Sequence, residues 1–238
     1  MTLKMAAYPA ATFFVSCVLS TCSNKCISVS LLSNTPKEMA LLTTIGLVRH
    51  GITDWNIQGI AQGSADIPLN ETGRQQAEAL AERLSREEEW DLIISSDLSR
   101  AKETAEIIGK QLHLPVSHFD TRLRERNGGK IEGTTEQERL KKWGADWRKL
   151  DLAMESREDA ADRGVSCIED ALENFNGQRV LFISHGALIG LTLKKLLPEK
   201  FEKTSLNNTS ITILKNAESR WDCPLYNCTA HLVKSESY

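Results

Sequence analysis

The chain has 238 residues, 41% hydrophobic and 26% charged, with a formal net charge of −3. That length supports one domain with a full core or two small ones, and the composition is that of a globular protein. The slightly acidic balance gives no reason to expect nucleic acid or an anionic membrane as partner, so an anionic ligand has to be held by a local cluster of positive groups.

Residues 1–40 differ in character from the rest and are expected to form an N-terminal extension ahead of one domain over residues 41–238. Residues 6–20 are apolar and rich in Ser and Thr, interrupted by Pro9, and too short to span a bilayer comfortably. Only Lys4 supplies positive charge ahead of them, and Leu19-Ser20-Thr21-Cys22 is a marginal processing site. Translation from Met39 or a disordered extension is the favoured reading, with export through residues 1–30 the alternative. Cys17, Cys22 and Cys26 lie here, while Cys167, Cys223 and Cys228 lie in the body, and none forms a Cys-x-x-Cys pair. Such scattered cysteines fit reduced thiols in a cytoplasmic protein. Cys223, Cys228 and His231 are too irregularly spaced to favour zinc over packing.

From residue 41 onward strands alternate with helices. Residues 44–48 are a continuous apolar run, as in a strand buried on both faces. Residues 71–86 carry Ala77, Leu80, Ala81 and Leu84 at helical spacing. A short strand follows at 92–95, then a helix over 98–112 with Leu98, Ala101, Ala105, Ile108 and Leu112 on one stripe. Residues 115–119 fit an edge strand. Residues 136–163 are highly charged, with Trp143 and Trp147 one helical turn apart, and read as a helical insertion; the two rings serve either as packing or as an entrance for apolar esters. Helix is predicted at 164–174, strand at 180–184, helix at 187–197 stopped by Pro198, strand at 210–214, and a hairpin partner at 221–226. This order predicts an α/β three-layer sandwich, with a mostly parallel central sheet flanked by helices and the insertion over the active-site edge.

In such sheets ligands bind beyond the carboxyl ends of the strands, and Arg49-His50, Ser95-Ser96 and Ser184-His185 all stand there. Ile45-Gly46-Leu47-Val48 runs directly into Arg49-His50-Gly51, and Val180-Leu181-Phe182-Ile183 runs into Ser184-His185-Gly186. Arginine forks suit phosphate, which makes Arg49 and Arg100 candidates. A neutral imidazole attacks phosphorus, and Gly51 is expected to let a ligand approach the backbone. Helix N-termini near Leu98 and Ala187 are expected to turn their N–H groups on the anion. Arg100 has an alternative in salt bridges with Asp97 or Glu103. His113, His118 and His231 have no comparable context.

Three further runs extend the pattern: Arg49-His50-Gly51-x-Thr53-x-x-Asn56; Gln62-Gly63-x-x-Asp66-x-Pro68-Leu69-x-x-x-Gly73-x-x-Gln76-Ala77; and Ser95-Ser96-Asp97-Leu98-x-Arg100-Ala101-x-x-Thr104-Ala105. With these the chain from about residue 44 to 233 resembles the histidine phosphatase superfamily, in its phosphoglycerate-mutase-like branch. The resemblance implies His50 as the nucleophile that becomes phosphohistidine. It implies Arg49, Arg100 and His185 as the phosphate pocket, Asn56 as a further donor, and Glu125 as proton donor. Gln62, Gly63 and Gly186 join the substrate-binding residues, although Asn56, Gln62 and Gly63 could also serve loop geometry. Glu132 competes with Glu125 as the acid. The run from Asn127 to Gly133 departs from the usual aromatic-Gly-x-x-Glu-Gly, Ile52 replaces a polar residue, and Cys228 stands where an acid is common.

The expected activity is hydrolysis of small-molecule phosphate monoesters, without metal or other cofactor, by a monomer or homodimer. The rivals are a phosphoglycerate mutase, a narrow member such as an alpha-ribazole phosphatase, and a non-catalytic binding protein on the same fold. The moderate, mixed-charge insertion favours the phosphatase over the mutase.

Overall fold

The protein is described from a computed structural model that covers residues 42–87, 89–217 and 220–232. The expected extension over residues 1–40 lies outside the described residues, as do its three cysteines.

Strand β1 (Thr43–Arg49) is buried on both faces, as its continuous apolar run requires. It is followed by the short helix α1 (Asp54–Ile57), helix α2 (Glu71–Arg86), strand β2 (Leu92–Ser95), helix α3 (Ser99–Leu112) and strand β3 (Val116–Phe119). Helix α4 (Glu136–Trp143), helix α5 (Arg157–Asn174), strand β4 (Arg179–Ser184), helix α6 (Gly186–Leu196), strand β5 (Ile211–Ala217) and strand β6 (Arg220–Cys228) complete the order. The strands form one sheet, β3-β2-β4-β1-β5-β6. The first four are mutually parallel, whereas β5 runs antiparallel to both of its neighbours. The exposed edge strand β6 accommodates Pro224, which has no N–H to give a further strand.

Alternation along the strands divides the core in two. Val180 and Phe182 of β4 pack with Ile168 and Ala171 of α5 and with Ile189 and Leu193 of α6. Leu181 and Ile183 face the other way, onto Leu80 and Leu84 of α2 and Ala101, Ala105 and Ile108 of α3. These are the three layers expected, with α5 and α6 on one side and α2 and α3 on the other.

The charged insertion departs from expectation. It is helical only through α4, which ends at Gly144 with φ +77°, and it continues through a 3-10 turn at Trp147–Lys149. Residues 157–163 belong instead to α5, which starts seven residues before the predicted position because Ser156 caps it, accepting from Asp159 N at 2.9 Å. Trp147 is buried, donates to Glu136 Oε1 at 3.1 Å, and lies under the guanidiniums of Arg139 and Arg148. It staples the insertion together. No helix among the described residues is long and apolar enough to cross a membrane.

Gly46 in the middle of β1 is a packing requirement. A Cβ there would stand 2.5 Å from Trp90 Cη2 and 2.7 Å from Leu181 Cδ1. Gly46→Ala is therefore expected to cost about 1–3 kcal/mol by overpacking, read as a lower midpoint of urea unfolding with an unchanged slope. Wild-type stability in that variant contradicts the packing account.

Candidate active site

Because β1 and β4 are adjacent and parallel, with Arg49 opposite Ser184, the two His-Gly pairs leave the sheet side by side. His50 N donates to Ser184 O at 2.9 Å, and the imidazole centroids of His50 and His185 stand 5.0 Å apart with planes at 57°. Both rings are buried, at 3% and 0% exposure. His50 Nδ1 lies 2.7 Å from Gly51 O, and a carbonyl only accepts, so this nitrogen carries the proton. Nε2 keeps its lone pair and has no hydrogen-bond partner among the described residues. Burial, then the charges of Arg100 and Arg49, hold the His50 pKa well below the usual imidazole value. Burial, Arg100, His50 and Arg49 do the same for His185. Both rings are neutral at neutral pH.

His185 Nε2 meets Ser96 Oγ at 2.9 Å, while its Nδ1 is buried with no partner. Arg100, at 0% exposure, donates from Nη1 to Ala65 O at 2.7 Å and from Nη2 to Gly63 O at 2.8 Å. Its Nε is buried without a partner, and burial pushes its pKa down to about 10, which leaves it charged. Neither salt bridge considered for it forms: Asp97 pairs with Arg124, and Glu103 with Arg74. Arg49 donates from Nη1 to Leu206 O, and its Nε is likewise buried without a partner. A Cβ on Gly186 would come within 3.2 Å of that Nε, so Gly186 makes room for the guanidinium. Two buried guanidinium nitrogens thus lack protein acceptors beside a neutral imidazole, and His185 Nδ1 has no partner either. A buried donor without an acceptor is costly, and an anionic oxygen relieves that cost.

The expected helix N-terminal contacts are different in the structure. The first N–H groups of α3 and α6 are occupied by the protein's own carboxylates. Asp66 accepts from Ser99 N at 2.7 Å, and Glu125 accepts from Ala187 N at 3.1 Å and Leu188 N at 3.0 Å. A carboxylate satisfies a helix N-terminus as well as a phosphate does. Gly51 is also required by packing, since a Cβ there would meet Gly73 O at 2.5 Å. Of the two readings for the tryptophans, packing holds for the buried Trp147, and neither ring lines the cavity that opens beside Arg49 and Glu125.

Glu132, the competing acid, ties two loops together through Ser64 N at 2.7 Å and Gly128 N at 2.8 Å. Glu125 follows the turn at Thr121–Leu123, and its charge is felt by both Arg49 and Arg100. Gln62 is buried with Oε1 unpartnered, and Gly63, at φ +51°, supplies the carbonyl that holds Arg100. Asn56 caps α1: its Oδ1 accepts from Thr53 N and Thr53 Oγ1, both at 3.1 Å. Cys223, Cys228 and His231 do not gather, and no cluster of three potential metal ligands occurs among the described residues.

One segment escaped the sequence reading. Asn208 Nδ2 donates to His50 O at 3.1 Å and to Asn56 Oδ1 at 3.2 Å, and Thr209 N reaches Arg49 O at 3.0 Å. With Leu206 O on Arg49, this loop grips the Arg49-His50 backbone from the far side. Its only signal in sequence is the polar run Asn207-Asn208-Thr209-Ser210 directly before β5.

The pattern described as the histidine phosphatase superfamily (branch 1) matches residues 45–229. The chain is 38% identical over 194 residues to a Bacillus subtilis protein named uncharacterized phosphatase PhoE, covering 80% of this chain and 97% of that one. It is 32% identical over 200 residues to an Arabidopsis thaliana metal-independent phosphoserine phosphatase, covering 80% and 84%. A solved mycobacterial glucosyl-3-phosphoglycerate phosphatase superposes with a TM-score of 0.70 at 32% identity, over 78% of this chain and 98% of that one. With the paired histidines and buried arginines in place, these similarities make the chain a member of the histidine phosphatase superfamily, branch 1.

Proposed function

We propose that the protein hydrolyses small-molecule phosphate monoesters through a phosphohistidine on His50. The observation that carries this reading is the His50 imidazole: neutral, with Nδ1 fixed on Gly51 O and Nε2 unpartnered beside two buried guanidiniums. Arg49, Arg100 and His185 Nδ1 receive the phosphoryl oxygens, and their positive charge stabilises the negative charge redistributed in the transition state. Nε2 forms a bond to phosphorus as the ester oxygen departs. Glu125 gives that oxygen its proton, leaving its α6 contacts to do so. Water then attacks the phosphohistidine, Glu125 takes the water's proton, and inorganic phosphate leaves. No step needs a metal, and the metal-independent relative in Arabidopsis is consistent with this.

Asn56 is the further donor. Because Asn208 Nδ2 and Thr53 both point at its Oδ1, the amide is locked with its NH2 turned away from them. Asn208 therefore sets the orientation of Asn56 as well as the carbonyl of His50. The relatives also include proteins named as phosphoglycerate mutases, such as one from Salmonella paratyphi A at 38% identity over 192 residues. A mutase returns the phosphoryl group to its substrate, so formation of 2-phosphoglycerate from 3-phosphoglycerate with a bisphosphoglycerate primer, without phosphate release, replaces the hydrolase reading.

Three outcomes are expected. Rapid quenching during turnover of a 32P-labelled ester traps acid-labile label on residue 50, and His50→Ala loses both label and turnover; label elsewhere overturns the mechanism. Glu125→Gln lowers kcat by about 10²–10⁴-fold for alkyl phosphates and far less for p-nitrophenyl phosphate, whose leaving group needs no proton. Asn208→Ala lowers kcat by about ten-fold while the fold is retained, through the loss of part-buried hydrogen bonds to His50 O and Asn56 Oδ1. A kcat equal to wild type removes Asn208 from the machinery.

A further inference from the structure

Gln76 and Thr104 belong to the same sequence runs as Arg49, His50 and Arg100, yet neither lines the cavity beside Arg49. Both hold the backbone around Gly51 instead. Gly51 N donates to Thr104 Oγ1 at 3.1 Å. Ile52 N, in the peptide unit that carries the Gly51 carbonyl, donates to Gln76 Oε1, also at 3.1 Å.

Thr104 lies on α3 and is fully buried. Its hydroxyl proton goes to Arg100 O at 2.7 Å, so the oxygen faces Gly51 N with lone pairs only. One hydroxyl thus ties the helical turn that bears Arg100 to the residue after His50. On the other side of the same peptide unit, His50 O is taken by Asn208. Gln76 lies on α2, so the two peptide units that meet at Gly51 are anchored to two different helices. Glycine rotates more freely about its backbone bonds than other residues, and these anchors give the Gly51 carbonyl a fixed direction.

That direction matters because Gly51 O is the acceptor for His50 Nδ1, at 2.7 Å. A neutral imidazole carries its proton on one nitrogen or the other, and the hydrogen bond made by one nitrogen decides the state of the second. With the Nδ1 proton held on Gly51 O, Nε2 keeps the lone pair that attack on phosphorus requires. Turning the carbonyl away lets the proton occupy Nε2, which blocks attack, and lets the ring rotate.

We infer that Gln76 and Thr104 are positioning residues that hold the Gly51 carbonyl as a lock on the His50 tautomer. The consequence for turnover rests on the phosphatase reading above, whereas the lock itself is a property of the resting protein. Neither side chain touches the substrate in this account; both act through the Gly51 backbone.

Thr104→Val keeps the shape of the side chain without its hydroxyl, Thr104→Ser keeps the hydroxyl, and Gln76→Met removes the acceptor oxygen from a half-buried side chain. Long-range proton–nitrogen correlation spectra of the isotope-labelled resting proteins read the tautomer, with the His50 signals assigned by their loss in His50→Ala. The wild type is expected to show a protonated Nδ1 and a bare Nε2. Thr104→Val and Gln76→Met are each expected to add a population with the proton on Nε2, while Thr104→Ser keeps the wild-type pattern. The first-turnover release of p-nitrophenol is expected to slow by about ten-fold in the valine and methionine variants, as misplacement of a reacting group costs, and to return to within about two-fold of wild type in Thr104→Ser. Inorganic phosphate is expected to bind with a Kd within about three-fold of wild type in every variant, because the side chains of Arg49, Arg100 and His185 are unchanged. A wild-type tautomer in both Thr104→Val and Gln76→Met overturns the lock. So does Thr104→Ser being as impaired as Thr104→Val, or phosphate affinity falling in step with rate, which marks a general loosening of the site. Should Thr104→Val fail to fold, Gln76→Met decides alone. A shifted tautomer in a protein that turns over no ester and never labels residue 50 defeats the phosphatase reading and leaves the lock standing.

Discussion

The structure depends on keeping two guanidiniums dry next to two uncharged imidazoles. Arg100 has no exposed surface and Arg49 is mostly buried, and what they receive from the protein is backbone carbonyl oxygen rather than carboxylate. Removing an ionised group from water costs on the order of several kcal/mol, and carbonyl dipoles offset only part of that. An ion pair with Asp97 or Glu103 would offset more and would also cancel the field at His50. Those two acids are engaged elsewhere, so the field remains. Together with burial, the larger cause, it keeps both rings neutral, and His50 Nε2 is left with a lone pair beside a place suited to negative charge.

Geometry at this point is enforced from both sides of β1. On one side β4 delivers His185 in register. On the other the chain leading into β5 lays Leu206, Asn208 and Thr209 against Arg49 and His50. This second support exists because β5 runs opposite to the rest of the sheet. Its beginning, not its end, lies at the carboxyl edge of β1, and the residues that precede it therefore belong to the site. Thr209 takes the left-handed conformation, φ 53°, to bring its N–H under the Arg49 and His50 carbonyls.

The same edge shows how acids are kept out of the space between the two guanidiniums and the two imidazoles. Asp66 and Glu125 each take the positive end of a helix, which holds them near the cations without a direct ion pair. Glu132 is bound into the neighbouring loops by two backbone amides. Of these carboxylates, Glu125 lies on the cavity wall beside Arg49, which fits a group that serves the leaving oxygen.

Much of this was legible in the amino-acid order, because its signals are local. Continuous apolar runs specify strands buried on both faces, helical stripes specify the layers, and a parallel sheet gathers strand ends, so Arg49, His50, Arg100 and His185 could be brought together without coordinates. Contacts decided by partners distant in the chain were not legible. Whether a helix N-terminus faces a ligand or a carboxylate depends on where residues 66 and 125 come to rest, and the need for Gly51 depends on Gly73. The roles of Asn208, Gln76 and Thr104 depend on strand direction and on where α2 and α3 come to rest beside the Gly51 backbone. Hydropathy periodicity records which face of an element is buried, but it carries no information about which polar group will meet which across the fold.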